Sequence, residues 1–167
     1  TKAGWPFVQA FAAICPGQKD LRPGNGSRVD VTGNPVRDAV LAQADVPFSP
    51  IGDGPIRLLV FGGSQGARVM SDIVPDALAA LPADLRGRLQ LTQQCREEDM
   101  ARVKLAYEQA GISATLSAFF EDMPQEIAQS HLVIGRAGAS TVSELGVIGR
   151  PSILVPLPHS LDQDQKA

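Results

Sequence analysis

The chain has 167 residues, of which 44% are hydrophobic and 20% charged, and a formal charge of −3. That composition suits one main globular domain with a sizeable core, and the slightly acidic balance offers no overall basic field for nucleic acid. No apolar run approaches the ~20 residues a membrane-spanning helix needs, so any membrane association is expected to be peripheral.

In chain order, GWPFVQAFAAICPG (4–17) superficially resembles the apolar part of a leader, but a lone Lys precedes it and a Pro interrupts it. It reads instead as the tail of a helix or strand from an upstream region, and the polar end at Asp162–Ala167, without a helix stop signal, is likewise read as a truncation. PGQKDLRPGNGSRVD (16–30) is a surface connection by its Pro, Gly, Asn and Asp content. The expected division is therefore a remnant and linker over 1–28 and a main domain over 29–167. A short strand and turn follow in VDVTGNPVR (29–37), then a second loop, VPFSPIGDGP (46–55).

From there the pattern becomes regular. Strands are predicted over 56–62, 88–94, 114–120, 131–136 and 152–158, and helices over 67–81, 97–111, 123–130 and 140–149. Strands apolar throughout, alternating with amphipathic helices, predict an α/β fold: a Rossmann-like, doubly wound parallel sheet covered on both faces. Ligands of such sheets bind beyond the carboxyl ends of the strands. The informative loops are thus GGSQGA (62–67), FFEDMP (119–124), RAGAST (136–141) and PLPHSLDQDQ (156–165).

Gly62, Gly63 and Gly66 permit a tight turn and a close backbone approach, and the helix that follows directs free amides to the same point, where an anion fits. Gly62-Gly63-Ser64-Gln65-Gly66 also matches the G-x-S-x-G elbow of hydrolases. Asp122 or Glu144 followed by His159 would supply the chain order of a catalytic triad, so on these residues alone Ser64 is either a nucleophile or a phosphate holder. In the second glycine loop, Glu144 can accept two hydrogen bonds from a vicinal diol, as ribose-binding carboxylates do; the alternative is a capping interaction among Ser140, Thr141, Ser143 and Glu144. Asp162-Gln163-Asp164 has the D-x-D spacing of some metal-dependent sugar-nucleotide enzymes but lacks a third hard ligand, so Asp164 and Gln165 read as polar ligand contacts or helix-start solvation. Cys15 and Cys95 have no metal-ligand spacing and read as reduced thiols. His131, opening a strand, reads as structural, and the isolated Trp5 and Tyr107 form no nucleic-acid stacking platform.

Together, TGNPVR (32–37), GGSQGAR (62–68), FFEDM (119–123), RAGASTVSELGVIGRPSILVPLPH (136–159) and DQDQKA (162–167) resemble the MurG glycosyltransferases over about residues 29–167. The resemblance implies the C-terminal, donor-binding half of a two-domain GT-B enzyme that transfers GlcNAc from UDP-GlcNAc to the MurNAc 4-hydroxyl of lipid I, giving lipid II. It places Ser64, with Gly63, Gln65 and Gly66, at the diphosphate and Arg37 toward the uridine end. Phe120 falls where family members often carry Ile and where the backbone meets uracil. Ala139, Ser140, Thr141 and Ser143 would line the nucleotide-sugar pocket, Glu144 would hold the ribose, and Asp164 and Gln165 the GlcNAc hydroxyls. It further implies no metal or other cofactor, no nucleic-acid partner, a general base in the other domain rather than in this chain, and a place on the cytoplasmic face of the bacterial inner membrane. Under it Ser64 is a holder, since direct displacement by the acceptor hydroxyl requires no enzyme nucleophile. Against it stand a serine hydrolase, a GT-B transferase with another acceptor, and a noncatalytic nucleotide-binding module.

Overall fold

The computed structural model describes residues 10–13 and 28–156, those at 10–13, 28, 29, 31 and 64–66 by backbone alone. The chain divides into two compact units, Thr1–Val36 and Arg37–Ala167. In the first, β1 (Ala10–Ala13) pairs in parallel with β2 (Arg28–Val31).

The second unit begins with the single turn α1 (Asp38–Leu41) and continues as β3 (Ile56–Phe61), α2 (Gly63–Ala79), α3 (Ala83–Arg86), β4 (Leu89–Gln94) and α4 (Glu97–Ala110). It continues with β5 (Ser113–Ser117), α5 (Met123–Gln129), β6 (Leu132–Arg136), α6 (Ala139–Ile148) and β7 (Ser152–Val155). The five described strands of this unit are parallel, in the order β5-β4-β3-β6-β7. The chain therefore winds outward from β3 through β4 and β5, then returns to the other side of β3 with β6. The doubly wound, Rossmann-like α/β reading of the sequence holds for this unit.

The central strands alternate between two cores. Leu58 and Val60 of β3 and Leu89 and Leu91 of β4 pack with Met70, Val74 and Leu78 of α2 and Val103 and Tyr107 of α4. Leu59, Phe61 and Val133 are buried on the opposite face, where α5 and α6 contribute Ile127, Ala128, Leu145 and Ile148. Burial on both faces is why residues 58–61 of β3 read as an uninterrupted apolar run.

Two differences from the sequence-based elements have local causes. Helix α2 starts at Gly63 rather than residue 67, so most of the glycine segment is its first turn. Strand β5 ends at Ser117 rather than 120, because the Ser117 hydroxyl bonds the Phe119 backbone, its Oγ lying 2.6 Å from the carbonyl oxygen and 3.3 Å from the amide, which turns the chain out of the ladder. Helix α2 also carries Pro75 in its interior. The proline supplies no N–H to the carbonyl of Ser71, and Arg102 Nη1 of α4 donates to that oxygen at 3.2 Å instead.

Candidate functional site

The strand order reverses between β3 and β6, and at that point the two glycine segments leave neighbouring strands, Phe61 standing opposite Gly135. A crevice for ligands opens at such a reversal. Gly62 is the N-cap of α2 and provides no side-chain cap; Gly63 has φ +65°, and a Cβ there would meet nothing within 4 Å. The glycine is thus required by backbone conformation rather than by crowding. The backbone of Ser64, Gln65 and Gly66 lies in the first turn of the 17-residue α2, whose positive dipole end faces the strand termini. One of its amides is already used: Gly63 N–H donates to Gln94 Oε1 at 3.1 Å.

The most unusual electrostatic feature beside this turn is Arg136, the last residue of β6. It shares a face with Leu132 and Ile134, which stand opposite Leu58 and Val60 on the α2 side of the sheet. One further step of the same register places Arg136 beside Gly62. The residue is only 7% exposed, and among the described residues neither Nη1 nor Nη2 has a hydrogen-bond partner. Arg150 shows what a purely structural buried arginine looks like in the same fold. At 6% exposure it donates to the carbonyls of Ala128 (2.9 and 2.7 Å), Ile148 (3.0 Å) and Val46 (2.9 Å), and its guanidinium lies 5.7 Å from the Phe48 ring centroid. A buried guanidinium without such partners carries an uncompensated desolvation cost, which a bound anion would offset.

The second segment forms the start of α6. Gly138 is its N-cap, again without a side-chain cap, and Ala139, Ser140, Thr141, Ser143 and Glu144 follow within its first two turns. Ser143 Oγ donates back to the Ala139 carbonyl at 2.9 Å, and Glu144 Oε1 accepts from Arg37 Nη2 at 3.1 Å. The Glu144 side chain is 14% exposed and that of Arg37 64%, so the pair sits at the rim with the carboxylate on its inner side. The structure thereby joins two residues that sequence reasoning had assigned to separate contacts.

Each acid proposed for a triad has a partner of its own among the described residues. Asp122 caps α5, accepting from Gln125 N at 3.1 Å, and Glu144 is engaged by Arg37. Phe120 lies in the loop between β5 and α5, partly buried, while Phe119 is 72% exposed. Asp164, Gln165 and His159 lie outside the described residues, as do Cys15 and Trp5. Among the described residues no cluster of three or more His, Cys, Asp or Glu side chains assembles, and no helix is long and apolar enough to cross a membrane. Two concavities, of 430 and 310 Å³, lie away from the glycine turns, one against α6 and β7 and the other at the opposite end of the strands near Arg57.

Two residues of this region went unassigned in the sequence, Arg136 and Gln94. The signal for Arg136 was a charge closing an otherwise apolar, doubly buried strand directly before a glycine segment. For Gln94 it was the pair Gln93-Gln94: strand alternation sends the first into the core, where it is fully buried, and leaves the second at the strand ends.

Comparisons with known proteins bear on this geometry. Residues 57–167 match the glycosyltransferase family 28 C-terminal domain. A Nitrobacter hamburgensis protein named UDP-N-acetylglucosamine–N-acetylmuramyl-(pentapeptide) pyrophosphoryl-undecaprenol N-acetylglucosamine transferase is 56% identical over 161 residues, 96% of this chain and 44% of that protein. The Methylobacterium nodulans protein of the same name is 62% identical over 138 residues, 81% of this chain and 37% of its own. The crystal structure of Acinetobacter baumannii MurG superposes with a TM-score of 0.67 at 27% identity, covering 95% of this chain and 42% of that one. The chain thus spans less than half the length of the curated relatives it matches.

Proposed function

The chain belongs to glycosyltransferase family 28 through its C-terminal domain, and from that membership we propose that it supplies the donor site of a GlcNAc transferase. In this reading UDP-GlcNAc lies across the reversal between β3 and β6, the acceptor is lipid I, and the product is lipid II. The enzyme works peripherally, at the cytoplasmic face of the bacterial inner membrane. The observation that carries the reading is the buried guanidinium of Arg136 beside the α2 N-terminus, whose two terminal nitrogens have no partner among the described residues. A cation and a positive helix end placed together repel each other until an anion sits between them, and the donor's diphosphate is such an anion.

The chemistry asks little more of this chain. The acceptor hydroxyl oxygen bonds to the anomeric carbon as the bond from that carbon to the β-phosphate oxygen breaks, its proton passes to a base, and UDP departs with the bonding electrons. Negative charge grows on the diphosphate during this step. Free amides of α2, the Ser64 hydroxyl and the Arg136 guanidinium stabilise that charge without having to reorganise. Glu144, held by Arg37, accepts the ribose hydroxyls; the Phe120 backbone meets uracil; Ala139, Ser140, Thr141 and Ser143 line the pocket, and Asp164 and Gln165 contact the sugar. The general base and acceptor-binding surface are assigned to the portion of the relatives that this chain does not span.

The test is calorimetric titration of the chain with UDP-GlcNAc and UDP, using Arg136→Met and Glu144→Ala as variants. Saturable binding that weakens about 10- to 100-fold in Arg136→Met is expected, from the ~1.5–3 kcal/mol typical of hydrogen bonds to charged groups. A folded chain that binds neither ligand, or an Arg136→Met variant that binds both unchanged, would sink the proposal.

A further inference from the structure

Gln94 ends β4 at the same edge as the two loops, yet it belongs to neither. Its carboxamide spans them: Oε1 accepts the Gly63 N–H at 3.1 Å, and Nε2 donates to the Ala118 carbonyl at 3.4 Å. The orientation of the amide is fixed by chemistry, because Gly63 can only donate and the Ala118 oxygen can only accept. On one side lies the first turn of α2. On the other, Ala118 follows β5 and leads into the segment containing Phe120, and the turn there is stiffened by the Ser117 Oγ bonds to the Phe119 backbone. The Cys95 amide, next in sequence, donates to the Ser117 carbonyl at 2.9 Å, so Gln94 departs from a point already tied to β5.

We propose that Gln94 is a positioning residue of the donor site, setting the separation between the α2 turn that meets the diphosphate and the β5–α5 loop that meets the base. This inference rests on the donor-site reading above. The carboxamide touches no ligand itself. By occupying the Gly63 N–H it leaves the next amides of the turn for phosphate oxygens, and by holding the Ala118 carbonyl it keeps the base-binding loop at the matching distance. A nucleotide diphosphate is a rigidly spaced ligand for such a pair of loops, and an error of about 1 Å between them costs affinity even when each loop alone is intact.

The experiment compares Gln94→Met, which removes both bonds at similar volume, with Gln94→Glu, which can accept from Gly63 but cannot donate to Ala118. Uridine and UDP-GlcNAc affinities are measured by calorimetry, and exchange of the Gly63 amide is followed by NMR. For Gln94→Met the expected results are a Gly63 amide that exchanges about tenfold faster, UDP-GlcNAc binding weakened about tenfold, and uridine binding weakened less, since uridine engages only one of the two loops. Gln94→Glu should retain the slow Gly63 exchange while still weakening uridine. A general loss of stability would instead accelerate exchange along all of α2 and weaken both ligands equally, and that result overturns the proposal. So does a Gln94→Met variant that binds UDP-GlcNAc as the parent chain does, a finding that leaves the donor site itself standing. If the parent chain is folded and binds no UDP-GlcNAc, the donor-site reading fails and this inference fails with it.

Discussion

At the scale of single residues, Arg136 is informative because, among the described residues, both of its terminal nitrogens are buried without a partner, whereas the other buried orphan atoms, Arg86 Nε and Asp99 Oδ2, belong to groups that bond through another atom. If its guanidinium is kept for an anion, removing it should separate stability from binding. Arg136→Met is expected to unfold at higher denaturant concentration than the parent chain in the absence of nucleotide, since replacing an uncompensated buried charge by a hydrophobic side chain gains about 1–4 kcal/mol, while nucleotide affinity falls as described above. Tyr107 gives the opposite lesson. Its hydroxyl donates to Gln93 Oε1, and Gln93 Nε2 reaches Ser71 Oγ at 3.5 Å, so a polar chain runs through the α2–β4–α4 core. Burial pushes the Tyr107 phenol well above its ordinary value, with a smaller contribution from Cys95, and it stays neutral and able to donate. Tyr107→Phe leaves the buried Gln93 oxygen without that donor, and chemical denaturation should register a loss of about 1–3 kcal/mol.

At the scale of elements, boundaries are set by local backbone chemistry, and so is their sensitivity. Helix α4 ends at Gly111 in the left-handed region, φ 70° and ψ 30°, with the Gly111 and Ile112 amides returned to the Glu108 and Tyr107 carbonyls. A Cβ at Gly111 would meet nothing within 4 Å, so any penalty there is one of backbone conformation. Gly111→Ala should lower stability by about 1 kcal/mol, measured by thermal or denaturant unfolding, with no change in nucleotide affinity. The helix signals were legible because α2 and α4 run for several turns with repeating apolar positions. The single turns α1 and α3, four residues each, are too short for any periodicity to appear. The glycine segment was misplaced by a few residues for a different reason: glycine has poor helix propensity, and its place in the first turn of α2 follows from the strand-to-helix geometry around it.

At the scale of the whole molecule, stability should respond to pH through a group far from the proposed site. His131 joins the starts of β3 and β6: its Nδ1 accepts the Arg57 backbone N–H at 2.9 Å, its backbone N–H donates to the Arg57 carbonyl at 2.9 Å, and its ring packs edge-on against Phe48 at 6.3 Å. Burial, and secondarily the Arg57 charge, lowers its pKa from the ordinary 6.5. The folded state therefore prefers the neutral ring, and the unfolded chain takes up the proton first as pH falls. The contribution of His131 is complete above about pH 6.5 and declines below it until the folded form is protonated as well. Denaturation followed between pH 7.5 and 5.5 should show this decline in the parent chain. It should be reduced in His131→Asn, whose side-chain oxygen can still accept from Arg57.

The sequence by itself determined the α/β class, the parallel sheet, the main strands and helices and the two glycine segments, because periodicity and glycine content are local and survive without coordinates. It also contained the spaced motifs that pointed to the family matched over residues 57–167. What the sequence could not decide depends on residues distant in the chain. Arg37 reaches Glu144 across 107 positions, Gln94 joins Gly63 to Ala118, and Arg136 stands beside Gly62 with its terminal nitrogens unpartnered among the described residues, whereas Arg150 is fully bonded. A residue's type states which bonds it can make. Only the strand order and register decide which partners come within reach, and whether a buried charge is left waiting for a ligand.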